Sequence, residues 1–94
     1  MEPKFKEGTI VVATRKEATG CGIEYIRKGS ILEVAEEVCE CDYYANIYRN
    51  RREKERNDTH TIDVEKLRVA TKAEADCYGK GIYYVDQVPS TSQN

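Results

Sequence analysis

The sequence predicts a mainly β domain, a small barrel of about five strands with one short helix before the last strand. Three observations carry this reading. Short stretches rich in β-branched and aromatic residues recur along the chain, several with period-two alternation. Turn-forming residues punctuate them at short intervals. Only one stretch, opening at Thr71, carries a clear helix start signal. Several short strands joined by short loops are well accommodated by a barrel that pairs its own edges.

The elements follow in order. Residues 9–15 (TIVVATR) come after the Glu7-Gly8 turn and form the first strand. Residues 16–22 make a loop in which Gly20 and Gly22 bracket Cys21, and residues 23–26 are briefly extended. The turn Arg27-Lys28-Gly29-Ser30 leads into a second strand, residues 31–38, with Leu32 and Val34 on one face and Glu33 facing away. Glu36-Glu37 interrupts its alternation and marks a bulge. Residues 43–49 (YYANIYR) give the clearest strand, with Tyr43, Ala45 and Ile47 on one face and Tyr44, Asn46 and Tyr48 on the other. The charged run 50–58 reads as an exposed hairpin tip. Residues 60–64 and 67–70 continue the sheet. Thr71 and Glu74 form a capping box for a helix ending at Gly79, and residues 82–85 (IYYV) supply the last strand. One domain over residues 1–86 results, followed by a disordered polar tail at 87–94. Spacing assigns the core to Ile10, Val12, Leu32, Val34, Ile47, Ile62, Leu67 and Val69.

Ninety-four residues support one modest core. The net charge of −2 excludes a general nucleic-acid coat, whose affinity comes from neutralising phosphates, so bulk DNA binding is not expected. No leader-like or membrane-length apolar run is visible, so a cytoplasmic location with Cys21, Cys39, Cys41 and Cys77 reduced, and no membrane partner, is expected.

Phe5-Lys6-Glu7-Gly8-Thr9-Ile10-Val11-Val12 resembles the entry to the first strand of small SH3-like barrels. The stretch from Tyr25 to Val34 resembles their diverging turn and second strand. Leu67 to Glu74, a strand running into a capped helix, resembles an ending of short proteins encoded by tailed phages. The resemblance implies an SH3-like barrel from a phage accessory gene, of the host-takeover or anti-defence type, working in the host cytoplasm. It assigns no site residues.

The residues themselves leave four site chemistries to weigh. Cys39-x-Cys41 places two thiols on one strand face, and Cys21, Cys77 or His60 could complete a tetrahedral zinc site. The spacing is irregular for zinc, small buried hydrophobes are the plainer role, and no metal or other cofactor is expected. Cys21 on a glycine-flanked loop could act as a nucleophile, but no base and orienting group are jointly visible, so no enzyme is expected. Tyr44 and Tyr48, with Arg49, Arg51 and Arg52 just beyond, could stack a base and clamp a phosphate, making the chain a sponge for a nucleotide signal. Glu53 and Glu55 dilute that basic run. Finally, Glu33, Glu36, Glu37, Glu40 and Asp42 concentrate negative charge suited to a basic protein surface. The favoured expectation is a non-enzymatic inhibitor that blocks a host protein through this acidic stretch, with the nucleotide sponge as alternative and a cysteine-based metal-binding domain as a further one.

Overall fold

The computed structural model describes residues 4–15, 17–18 and 25–88. The strands are β1 (Ile10–Ala13), β2 (Glu17–Ala18), β3 (Tyr25–Ile26), β4 (Ile31–Val34), β5 (Tyr44–Tyr48), β6 (His60–Asp63) and β7 (Leu67–Val69). Two short helices join them, α1 (Arg51–Glu55) and α2 (Lys72–Gly79), with 3₁₀ turns at Val64–Lys66 and Val85–Gln87. Five strands form one antiparallel sheet in the order β6-β5-β4-β1-β7, and β2 pairs with β3 separately. The class is therefore mainly β.

The sheet is open, which corrects the expected closure. β6 and β7 are its edges and do not pair with each other. The core is sealed instead by residues outside the large sheet. Leu32, Val34, Ala45, Ile47 and Ile62 pack with Val11 and Ala13 on one face, and Phe5, Ile26, Val38 and Val64 close over them. Phe5 and Val38 are held there by an isolated bridge. The second face carries its own apolar cluster, Val12 and Ile31 under Tyr78 of α2, with Ile10, Tyr83, Val85 and Val88 against it. A sheet covered on both faces needs no closure to hide its apolar residues.

The register explains which core assignments hold. Val11 stands opposite Leu32, and Val12 opposite Ile31. Directly paired residues share a face. Leu32 and Val34 therefore pack with Val11 and Ala13, while Ile10 and Val12 belong to the second cluster. Val69 is corrected outright: at the sheet's edge it is 59% exposed.

Four other elements differ from expectation, the first being β2, which stands at Glu17–Ala18 where a loop over residues 16–22 was expected. Residues 31–38 are not one strand, because β4 ends at Val34 and a bend follows. The run expected as a hairpin tip is a helix. Asn50 caps α1 by accepting from the Glu53 amide at 2.9 Å, and Asn57, at φ 56°, ends it in the left-handed conformation that Asn tolerates. The last strand is absent. Tyr84 makes only an isolated bridge to Ser30 before the 3₁₀ turn at Val85–Gln87. That turn and the packed Val88 occupy the start of the expected tail, whose remainder, 89–94, lies outside the described residues, as does the loop around Cys21.

The capping box is present on α2. Glu74 N–H donates to Thr71 Oγ1 at 3.2 Å, and Thr71 N–H donates to Glu74 Oε1 at 2.8 Å. Arg68 of β7 also donates to both Glu74 oxygens, tying the helix to the strand before it. These bonds hold the Glu74 carboxyl well below the usual range, at about 2.

Gly29 sets the close approach of the β3–β4 turn to the 3₁₀ turn at Val85–Gln87. Its φ is +86°, and a Cβ there would meet Val85 Cγ2 at 2.9 Å. Gly29→Ala is therefore expected to destabilise the fold by about 2 kcal/mol, combining left-handed strain with overpacking. Urea unfolding reads this directly, and an unchanged midpoint would show that the turn relaxes freely.

Candidate functional site

The acidic residues divide into two groups with different surroundings. Glu33 is in β4 on the face toward α1 and α2. It is only 7% exposed and receives Lys54 Nζ of α1 at 2.7 Å. Its carboxylate raises the Lys54 pKa through that bond. Glu33 is thus a buried ionic tie between sheet and helix, removed from the surface where the sequence placed it. Glu36, Glu37, Glu40 and Asp42 are all exposed on the connection from β4 to β5. Glu36 accepts from Asn46 Nδ2 at 3.4 Å. Asp42 shapes the turn: its side chain accepts from the Cys39 amide at 2.9 Å, and its own amide donates to the Cys39 carbonyl at 3.0 Å.

That turn delivers two aromatic rings to solvent. Tyr43 is 81% and Tyr44 65% exposed. Tyr43 precedes β5, and its ring does not share the buried face of Ala45 and Ile47; its carbonyl accepts from the Val64 amide at 3.0 Å.

The tyrosine–arginine set does not converge. Tyr44 sits at the start of β5, while the Tyr48 hydroxyl at the far end donates to Asn57 Oδ1 at 3.1 Å. Arg49 donates through Nε and Nη2 to Glu53 Oε2 at 2.9 and 2.5 Å, and its amide donates to Glu53 Oε1 at 2.9 Å. His60 Nε2 lies 3.1 Å from the same Oε2. Burial works to raise the Glu53 pKa, but the hydrogen bonds from Arg49 and His60 outweigh it and the carboxyl is lowered. Arg51 reaches the Gly79 carbonyl, and Arg52 is exposed. Arg49, His60 and Glu53 thus serve the fold of the β5–α1–β6 corner.

The cysteines are similarly dispersed. Cys39 and Cys41 are exposed, whereas Cys77 is buried in α2. Desolvation, and then the carboxylates of Asp42 and Glu37, push the Cys39 thiol up, away from the thiolate that metals and electrophiles require. Among the described residues, no group of three or more His, Cys, Asp and Glu side chains is arranged to hold a metal. None of their helices is long and apolar enough to cross a membrane.

Concave regions also lie among the described residues, one of about 340 Å³ bounded by Thr14, Lys28, Arg68 and Asp86, and another that sequence reasoning passed over. A cleft of about 300 Å³ is lined by Arg27, Arg49, Asn50, Tyr83 and Tyr84, with Ile26 and Ser30 at its base. A second hollow, bounded by Asn50, Arg52 and Tyr83, adjoins it. The Arg27 guanidinium lies 4.4 Å from the Tyr84 ring centroid. The adjacent aromatics of IYYV were legible in the sequence. Their meeting with Arg27 and Asn50, far away along the chain, was not.

No protein-family model, curated protein or solved structure matches the chain.

Proposed function

We propose that the chain is a non-enzymatic binding protein that docks on a basic protein surface through residues 36–44. The observation that carries this reading is the pairing of Tyr43 and Tyr44, the most exposed aromatics of the described chain, with four exposed carboxylates on one connection. Exposed rings supply anchors, and surrounding charge supplies steering and orientation. The partner class proposed is a host protein inhibited by occupation of its surface in the host cytoplasm, as the phage-type resemblance implies. An SH3-like relationship is part of the same reading. It is supported by the succession β1-β4-β5-β6 of neighbouring antiparallel strands, with β7 returning to the free edge of β1.

The nucleotide-sponge alternative built on Tyr44, Tyr48, Arg49, Arg51 and Arg52 is disfavoured because Tyr48, Arg49 and Arg51 are each engaged elsewhere, on Asn57, Glu53 and the Gly79 carbonyl.

Two variants test the docking surface against a partner captured from host lysate and then purified. The Glu36/Glu37/Glu40 triple Gln variant is expected to associate more slowly, with a weaker salt dependence. Joint Tyr43→Ala and Tyr44→Ala substitution is expected to speed dissociation at least tenfold, as for aromatic anchors worth about 2 kcal/mol. Both should keep the native circular dichroism spectrum. Wild-type binding by both variants would refute the surface.

A further inference from the structure

We infer that the cleft between the β3–β4 turn, the start of α1 and the Tyr83-Tyr84 pair binds a nucleoside monophosphate. The site is separate from the docking connection and shares no residue with it.

No carboxylate lines either hollow. Arg27 and Arg52 contribute guanidinium groups, which match phosphate oxygens in a planar fork. Arg27 pairs with Asp86 at 2.9 Å, but both side chains are mostly exposed. Such a pair is weak and exchanges readily for a better anion. Arg52 makes no ion pair among the described residues, so its charge is available to the adjoining hollow. Asn50 uses Oδ1 to cap α1, which leaves its amide nitrogen as the group it can offer a ligand: a further donor. The cleft therefore presents donors and positive charge and calls for an anion.

Tyr83 and Tyr84 are neighbours in the chain and both line the cleft. Their backbone is fixed: the Ile31 amide donates to the Tyr83 carbonyl at 2.8 Å, Tyr84 bridges Ser30, and the Val85 amide donates to the Gly29 carbonyl at 2.8 Å. The Tyr83 ring is also held, edge-to-face on Tyr78 at 5.3 Å, with its hydroxyl accepting from the Arg51 amide at 3.3 Å. One face of the Tyr84 ring is covered by the Arg27 guanidinium at 4.4 Å, so a planar group stacks on the other face or takes the place of the guanidinium as it turns to the phosphate.

The cleft and the adjoining hollow have about 300 Å³ each, room for a mononucleotide with its base against Tyr84 in one and its phosphate toward Arg52 in the other. A ligand with one planar ring and one phosphate uses both kinds of wall; inorganic phosphate or a bare nucleoside uses one.

Titration calorimetry on the full chain tests this with AMP, GMP, CMP and UMP, beside inorganic phosphate and adenosine as single-feature probes. At least one mononucleotide is expected to bind saturably at one site per chain, more tightly than either single-feature probe and more weakly as salt rises. Tyr84→Ala should weaken that binding about five- to 150-fold, as expected for one stacked base. Tyr84→Phe, which keeps the ring, should stay near wild type and serves as the folding control. Arg52→Gln, at an exposed position, should weaken binding several-fold. Tyr43→Ala with Tyr44→Ala should leave it unchanged. Absence of saturable binding, equal binding of inorganic phosphate, or indifference to both Tyr84→Ala and Arg52→Gln would each overturn the site.

Discussion

Leu32→Ala and Ile47→Ala are each expected to destabilise the protein by about 2–5 kcal/mol, the cost of emptying a fully enclosed core position. Both side chains are 0% exposed and belong to the cluster that Phe5, Ile26, Val38 and Val64 close over. Neither β4 nor β5 is an edge strand, so neither site collapses easily around a lost side chain. Domains of this size have about 5–15 kcal/mol of stability in total, so either variant consumes a large part of it. Denaturant unfolding should show the loss as a lower midpoint at unchanged slope. Val69→Ala, 59% exposed, is the matched control and should stay within about 0.5 kcal/mol of wild type. A loss below about 1 kcal/mol at both core positions would contradict the core as described.

Glu53→Ala is expected to cost about 2–3 kcal/mol, because one buried carboxylate serves the Arg49 amide, the Arg49 guanidinium and His60 together. The figure is kept below that of a fully buried ion pair because the Arg49 side chain is one-third exposed, at 32%. The pH dependence follows from the direction of the shift. The Glu53 pKa is lower in the folded protein than in the unfolded chain. Its contribution is therefore complete above the ordinary carboxylate range and is lost as pH falls through the lowered value. Glu74, at about 2, acts in the same direction. Stability should decline on acidification below about pH 5, and Glu53→Gln should flatten that decline. An acid limb identical to wild type would show that Glu53 is not a linked group.

Most strands were legible because their alternation reflects burial on one face, as in residues 44–48 with Ala45 and Ile47 inside. The capping box of α2 was legible because Thr71 and Glu74 act within a single turn. The helix α1 left a comparable signal, Asn50 three residues before Glu53 with Asn57 after it, but the dense charges of the segment masked it. Glu33 misled for a different reason. A carboxylate in a strand reads as solvent-facing, and only the tertiary fold shows Lys54 reaching it. Open and closed sheets were indistinguishable at the sequence level, since strand content is the same in both. The acidic aromatic connection was partly visible as charge density. The cleft was invisible because its residues come from three separate parts of the chain.

That last property bears on when the cleft comes into being during synthesis. β4, β5 and β6 follow one another and pair with sequence neighbours, so their ladders can close as the chain emerges. β1 meets β4 early but must wait for β7, and Tyr83 and Tyr84 follow only after α2. Arg27 and Asn50 thus emerge before the rings that complete their wall. An incomplete chain can hold much of the sheet yet lack the cleft, so occupancy of the cleft would mark molecules whose C-terminal turn has docked.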